Sequence, residues 1–247
     1  MVRRGAAQSV VLLLVGGTLL KIALAGTYVR YVKVGLRGYL VAAGAVLVAV
    51  ALASLVHTLW TAGSRRAGHD HDVDDGHGHS HRGFDPSWLL VAPALALLLI
   101  APPALGSYAA ARGGTALAAG ADSDYPPLPD GDPVRISVLD YADRAVFGKG
   151  HTLGRRAVTL SGFVMAGDHG HRYLARMVIT CCAADARPVK VGLAGDLPPD
   201  AAPDAWLEVT GTYTAQTDTD PVNGQPIPYL AVTSARSIPA PAQPYES

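Results

Sequence analysis

The chain has 247 residues, 49% of them hydrophobic, and its 20 Lys and Arg balance 20 Asp and Glu. A net charge of zero offers no basic field to gather nucleic acid, and two cysteines are too few for a disulfide framework. The length allows one large domain or two small ones, and the apolar residues crowd into the first half.

In chain order, the segments Val10–Val29, Tyr39–Trp60 and Trp88–Ala111 each reach the roughly 20 residues that cross a hydrocarbon core. Only Lys21 puts a formal charge inside them. They predict a membrane α-helical N-terminal part of about three spans. The opening Met-Val-Arg-Arg, the apolar run and Ala23-Leu24-Ala25-Gly26 also fit a secretory signal, but the run extends to spanning length and favours a retained helix. Lys21 and His57 sit close to span ends, where Lys21 snorkels and His57 meets the interface.

Basic residues in short loops prefer the cytoplasm. Arg3, Arg4, Arg65, Arg66 and Arg82 fall on one side, and Arg30, Lys33, Arg37 and Arg112 on the other. That margin predicts a multi-pass protein of the cell membrane with its C-terminal domain extracytoplasmic. Pro93, Pro102 and Pro103 free carbonyls that a partner helix could satisfy, although proline is also simply commoner in membrane helices. Gly16-Gly17 and Ala42-Ala43-Gly44 offer small surfaces for close helix contact.

Between the second and third spans, the loop 61–87 interleaves His69, His71, His77, His79 and His81 with aspartates. In an extended chain, His-x-His spacing puts imidazoles on one side, within reach of a shared ion. Neutral imidazole suits zinc, copper, nickel and cobalt. The loop is therefore read either as a fluxional divalent-metal buffer or as a solvated low-complexity connector.

Proline, glycine and aspartate then mark residues 112–132 as a linker. Beyond it, short alternating or β-branched runs predict strands at Val134–Val138, Ala157–Met165, Tyr173–Thr180, Pro188–Leu193, Trp206–Ala215 and Tyr229–Ile238. A short helix fits between Leu139 and Gly154. Five or six short strands in so few residues predict an all-β domain over 133–240, a small barrel or sandwich. Residues 241–247 read as a tail.

Both cysteines lie in Arg176-Met-Val-Ile-Thr-Cys-Cys-Ala-Ala-Asp185. If the strand ran through them, its period of two would set Cys181 beside Tyr173, Met177 and Ile179, and Cys182 beside Leu174, Arg176 and Val178. Adjacent thiols pointing apart cannot form an unstrained disulfide. Two readings follow: small apolar core residues, or a strand end where a thiolate joins Asp185 or a histidine as a soft metal ligand. Arg176 is either an ion-pair partner of Asp185 or an outward-facing charge. The sequence shows no Ser-His-Asp arrangement, phosphate loop or diagnostic carboxylate pair, so no enzyme is expected.

Four stretches together resemble the YcgQ-like family: Val158-Thr-Leu-Ser-Gly-Phe-Val164, the Arg176 to Ala186 run with its Cys-Cys-Ala-Ala-Asp, Trp206-Leu-Glu-Val-Thr-Gly211 and the final Pro-Tyr-Glu. The resemblance implies a non-enzymatic membrane subunit paired with a polytopic permease-like protein and linked to divalent metal (zinc-like) homeostasis. It makes Cys181, Cys182 and Asp185 the signature positions, with Zn2+ or another divalent transition metal as the implied ion. A membrane-anchored thiol redox protein and a structural adaptor with core cysteines are the alternatives.

The domain is also similar to an OB-like small barrel, with Gly162 and Gly211 inside strands where such a barrel bends. Residues 134–247 hold ten Lys and Arg against eleven Asp and Glu, with few aromatics to stack bases, which argues against a nucleic-acid partner.

Overall fold

The computed structural model describes residues 2–65, 95–96, 99–100, 103–117, 125–167 and 170–247. The chain divides into two compact units, one of Met1–Tyr28 and Val34–Pro103, the other of Val29–Lys33 and Ala104–Ser247.

The first unit is built on α1 (Val2–Leu24) and α2 (Arg37–Arg65). The helices run antiparallel, since Ser9 Oγ meets Ser54 Oγ at 3.2 Å while Gly16 packs on Gly44. A Cβ on Gly16 would stand 2.9 Å from the Gly44 carbonyl oxygen, so the small surfaces expected at Gly16 and Gly44 close on each other. Among the described residues one helix, over Val34–Trp60, is long and apolar enough to cross a membrane. The apolar stretch of α1, Gln8–Leu24, is shorter. Such a helix suits a membrane span and a signal sequence alike.

The first part of the expected third span, Trp88–Ala111, lies largely outside the described residues. The end of the span departs from expectation. Ala104–Ala111 belong to the second unit, where α3 (Ser107–Arg112) places a fully buried Ala110 in one cluster with Phe163, Met165 and Ile227. Within the stretch read as a linker, Thr115 and Leu128 are buried in the same unit.

The second unit is a closed five-stranded barrel. Its strands are β2 (Val158–Ala166), β3 (Arg172–Val178), β4 (Arg187–Ala194), β5 (Trp206–Thr219) and β6 (Pro226–Ser237). The ring runs β2-β5-β6-β4-β3 and closes where β3 pairs with β2; only β4 and β6 are parallel within it. Two short strands add outside the ring, β1 (Val134–Arg135) parallel to β2 and β7 (Tyr245–Glu246) parallel to β3. A Cβ on Gly162 would come within 2.6 Å of the Ala175 oxygen, and one on Gly211 within 2.3 Å of the Ala231 oxygen. A bulge falls at Thr210/Gly211, which is how so small a barrel turns its long strands.

Helix α4 (Val138–Val146) begins at Ser137, whose Oγ accepts the Asp140 N–H at 2.9 Å. Its Val138, Tyr141, Ala142 and Ala145 join the barrel core with Leu160, Leu174, Val191 and Leu230. Leaving the buried Tyr141 hydroxyl without a partner would cost about 1–3 kcal/mol. It donates instead to the Tyr229 carbonyl at 2.6 Å.

The segment 241–247, read as a tail, is built into the domain. Glu246 accepts the N–H groups of Val138 and Leu139 at 3.0 and 3.1 Å, so a carboxylate caps the positive end of α4. Its carbonyl takes the Ile179 N–H at 3.0 Å, the last bond between β3 and β7 before the cysteines.

Candidate metal centre

The pairing of β3 stops at Val178, and the chain turns through Thr180, Cys181 and Cys182 into a 3-10 turn at Ala183–Asp185 before β4 begins at Arg187. Asp185 holds this turn. One carboxylate oxygen accepts the Thr180 N–H at 2.8 Å; the other accepts the N–H groups of Cys181 and Cys182 at 2.8 and 3.1 Å. Three converging peptide donors fold the chain back on one side chain, as a capping box does at a helix start.

The turn is braced from outside by Val29–Lys33. Lys33 N–H donates to the Cys181 carbonyl at 3.0 Å, the Tyr31 carbonyl accepts the Ala183 N–H at 2.7 Å, and Val32 bridges Cys182 antiparallel. Tyr245 ties this strap to the barrel edge by donating to the Arg30 carbonyl at 3.0 Å.

The thiols do not point apart. Strand periodicity no longer applies past Val178, and the turn brings Cys181 Sγ to 3.7 Å from Cys182 Sγ. Neither is a core residue: Cys181 is exposed and Cys182 half-buried. They are unbonded, since a disulfide needs about 2.05 Å. Arg176 also departs from both expectations. It is buried, donates to the Gln243 carbonyl at 3.1 Å, stands 3.7 Å from Glu246 and lies over the Trp206 ring at 4.9 Å.

Cys181 Sγ donates to Asp185 at 2.8 Å. That bond, with the second thiol beside it, pushes the Cys181 thiol up to about 11. The same bond and the peptide N–H donors of Thr180 and Cys181 hold the Asp185 carboxyl well below the usual carboxylate range. At neutral pH the resting state is therefore a carboxylate facing a protonated thiol, not a nucleophilic thiolate.

The ligand atoms of Cys181, Cys182 and Asp185 lie within 4.8 Å of one another, and the group could hold a metal ion. Two Zn–S bonds of about 2.3 Å at a tetrahedral angle put the sulfurs about 3.8 Å apart. The observed 3.7 Å matches that edge. A tetrahedral S···O edge is about 3.6 Å, so a metal would open the Cys181–Asp185 edge and displace the S–H proton. Two sulfurs and a carboxylate favour zinc and softer ions over magnesium or calcium.

The five loop histidines, His69, His71, His77, His79 and His81, lie outside the described residues. The strap and Glu246 escaped sequence reasoning, because backbone pairing between distant segments leaves no side-chain signature. The closing Pro-Tyr-Glu was the available sign of the second.

The family model described as the DUF1980 C-terminal domain matches residues 150–246, which span the five barrel strands, the Cys-Cys-Ala-Ala-Asp turn and β7. For that part of the chain the match is consistent with the YcgQ-like resemblance. No curated protein and no solved structure matches the chain.

Proposed function

We propose that the chain is a non-enzymatic membrane subunit of a permease complex, whose β domain receives a divalent transition metal, zinc-like in its preferences, at Cys181, Cys182 and Asp185. The observation that carries the metal reading is the unbonded thiol pair at 3.7 Å with a carboxylate against it, on an exposed turn. The turn is pre-organised by the peptide donors to Asp185 and by the strap, so binding does not have to order it.

The membrane part of the reading rests on Val34–Trp60, a helix of spanning length and mean hydropathy 2.5. Its outward apolar side includes Val46, Val50, Val56 and Leu59, which suits lipid or a partner's helices. We place the barrel on the extracytoplasmic face by the distribution of basic residues and read its strand order, with β4 and β6 parallel, as OB-like. In this scheme the His-rich loop buffers metal on the other face, the prolines after it meet the partner, and the whole chain is YcgQ-like in role.

The full-length protein, tagged and extracted from its native membranes, should bring down a polytopic permease-like protein. Purification without any such companion would remove the partner half of the proposal.

A thiol redox protein is the second reading, favoured by the closeness of the two sulfurs. The raised Cys181 thiol counts against it. Thiol trapping separates the two: reversible interconversion of reduced and oxidised forms supports redox chemistry, whereas protection of both thiols by zinc supports the metal site.

A further inference from the structure

The barrel carries a polar cavity that the metal reading does not use. It has a volume of about 300 Å³ and is lined by Met165, His171, Tyr173, Lys190, Asp218 and Ile227 among others. It lies at the start of β3, whereas the cysteines follow its end. The five residue-to-residue steps of strand from Tyr173 to Val178 put about 17 Å between them at the usual rise.

Among the described residues, its permanent charges do not cancel. Lys190 is buried, and its ammonium is held by Asp220 at 2.8 Å and the Gly113 carbonyl at 2.8 Å, so that pair is neutral. Among the described residues Asp218 meets no ammonium or guanidinium group, and its basic neighbour is the His171 imidazole. Its Oδ2 accepts the Tyr173 hydroxyl at 2.7 Å and lies 3.2 Å from His171 Nδ1. The same Nδ1 is 3.0 Å from the Tyr229 hydroxyl. That single nitrogen either accepts from Tyr229 or donates to Asp218. The Tyr173 hydroxyl holds the Asp218 carboxyl below its ordinary value, so it is ionised at neutral pH. Asp218 Oδ1 takes the Thr219 N–H at 2.8 Å and keeps a lone pair.

We infer that this cavity is a second binding site, for a small organic cation bearing an ammonium or guanidinium group, with Asp218 as its counter-ion. Met165 and Ile227 supply an apolar wall for the carbon part of the ligand. At about 30 Å³ per small-molecule heavy atom in liquid packing, the space takes about ten non-hydrogen atoms. Anions, nucleotides included, are disfavoured by the Asp218 carboxylate. The inference does not depend on the metal site. The cation comes either from a free small molecule or from a lysine side chain of another protein.

The test is ligand-observed NMR on the full-length protein in detergent, with n-butylammonium as probe, 1-butanol as its neutral isostere and a capped Gly-Lys-Gly tripeptide as the protein-borne source. Saturable butylammonium binding, at least tenfold tighter than butanol and weakened at least tenfold in both Asp218→Asn and Ala111→Phe, is the expected result. Ala111 lines the cavity but is itself exposed, so the phenylalanine fills the space without disturbing the hydrogen-bonded groups and carries the test should Asp218→Asn fail to fold. Tripeptide binding tighter than butylammonium assigns the cation to a partner's lysine; weaker binding assigns it to a free molecule. Equal binding of butanol and butylammonium, or unchanged butylammonium binding in Ala111→Phe, overturns the proposal.

Discussion

Cys181 Sγ and Asp185 Oδ2 stand 2.8 Å apart, and their hydrogen bond fixes the protonation of both groups. The thiol keeps its proton because it donates to a carboxylate that three peptide N–H groups already hold ionised. A cation entering the turn meets a ready carboxylate, and proton release accompanies its capture.

Replacing Asp185 by Asn should bring the Cys181 thiol down from about 11 towards the ordinary thiol value. Alkylation by iodoacetamide at pH 8 should then accelerate roughly tenfold or more, because only the thiolate reacts. Stopped-flow alkylation of the full chain measures this; an unchanged rate would show that the Asp185 bond does not hold the proton.

The same bond gives a pH profile with both signs fixed. The Asp185 carboxyl is depressed on folding, so its contribution is complete above the ordinary carboxyl value of about 4 and fades as pH falls through the lower folded value. The Cys181 thiol is raised, so its contribution is complete below about 8.5 and fades as pH rises through about 11. This turn's contribution should therefore be flat between roughly pH 5 and 8 and decline on either side. Asp185→Asn should remove this turn's share of both declines, seen as a smaller Tm difference between pH 7 and pH 3 than in the parent.

Glu246→Gln should weaken two charge-assisted bonds at the start of α4 and the contact with Arg176. A loss of about 1.5–3 kcal/mol is expected, the size of a hydrogen bond to a charged group. Urea unfolding followed by near-UV circular dichroism would register it as a lower midpoint at an unchanged slope.

In the first unit, Gly44→Leu should separate the helices, because even a Cβ there would stand 3.0 Å from the Gly16 carbonyl oxygen. A disulfide probe between Ser9→Cys and Ser54→Cys should form readily in the parent and poorly in the Gly44→Leu background.

Most of the barrel was legible because its strands carry their own periodicity. The expected run Ala157–Met165 became β2 (Val158–Ala166), and Pro188–Leu193 became β4 (Arg187–Ala194). The helix expected within Leu139–Gly154 is α4 (Val138–Val146). The site was legible only in composition. Its geometry depends on the turn after β3, where Asp185 gathers three peptide N–H groups and the strap Val29–Lys33 pairs from far upstream. Period-two reasoning carried past Val178 therefore sent the thiols to opposite faces. Arg176 was misjudged for a related reason: its partners, Trp206, Gln243 and Glu246, arrive from distant parts of the chain.

The central claim is that Cys181 and Cys182 hold a metal. Its most direct test is the zinc content of the full-length protein with His69, His71, His77, His79 and His81 replaced by alanine, so that the loop cannot contribute. About one equivalent should remain in that background and disappear when Cys181→Ser and Cys182→Ser are added. Equal zinc with and without the two thiols would contradict the account.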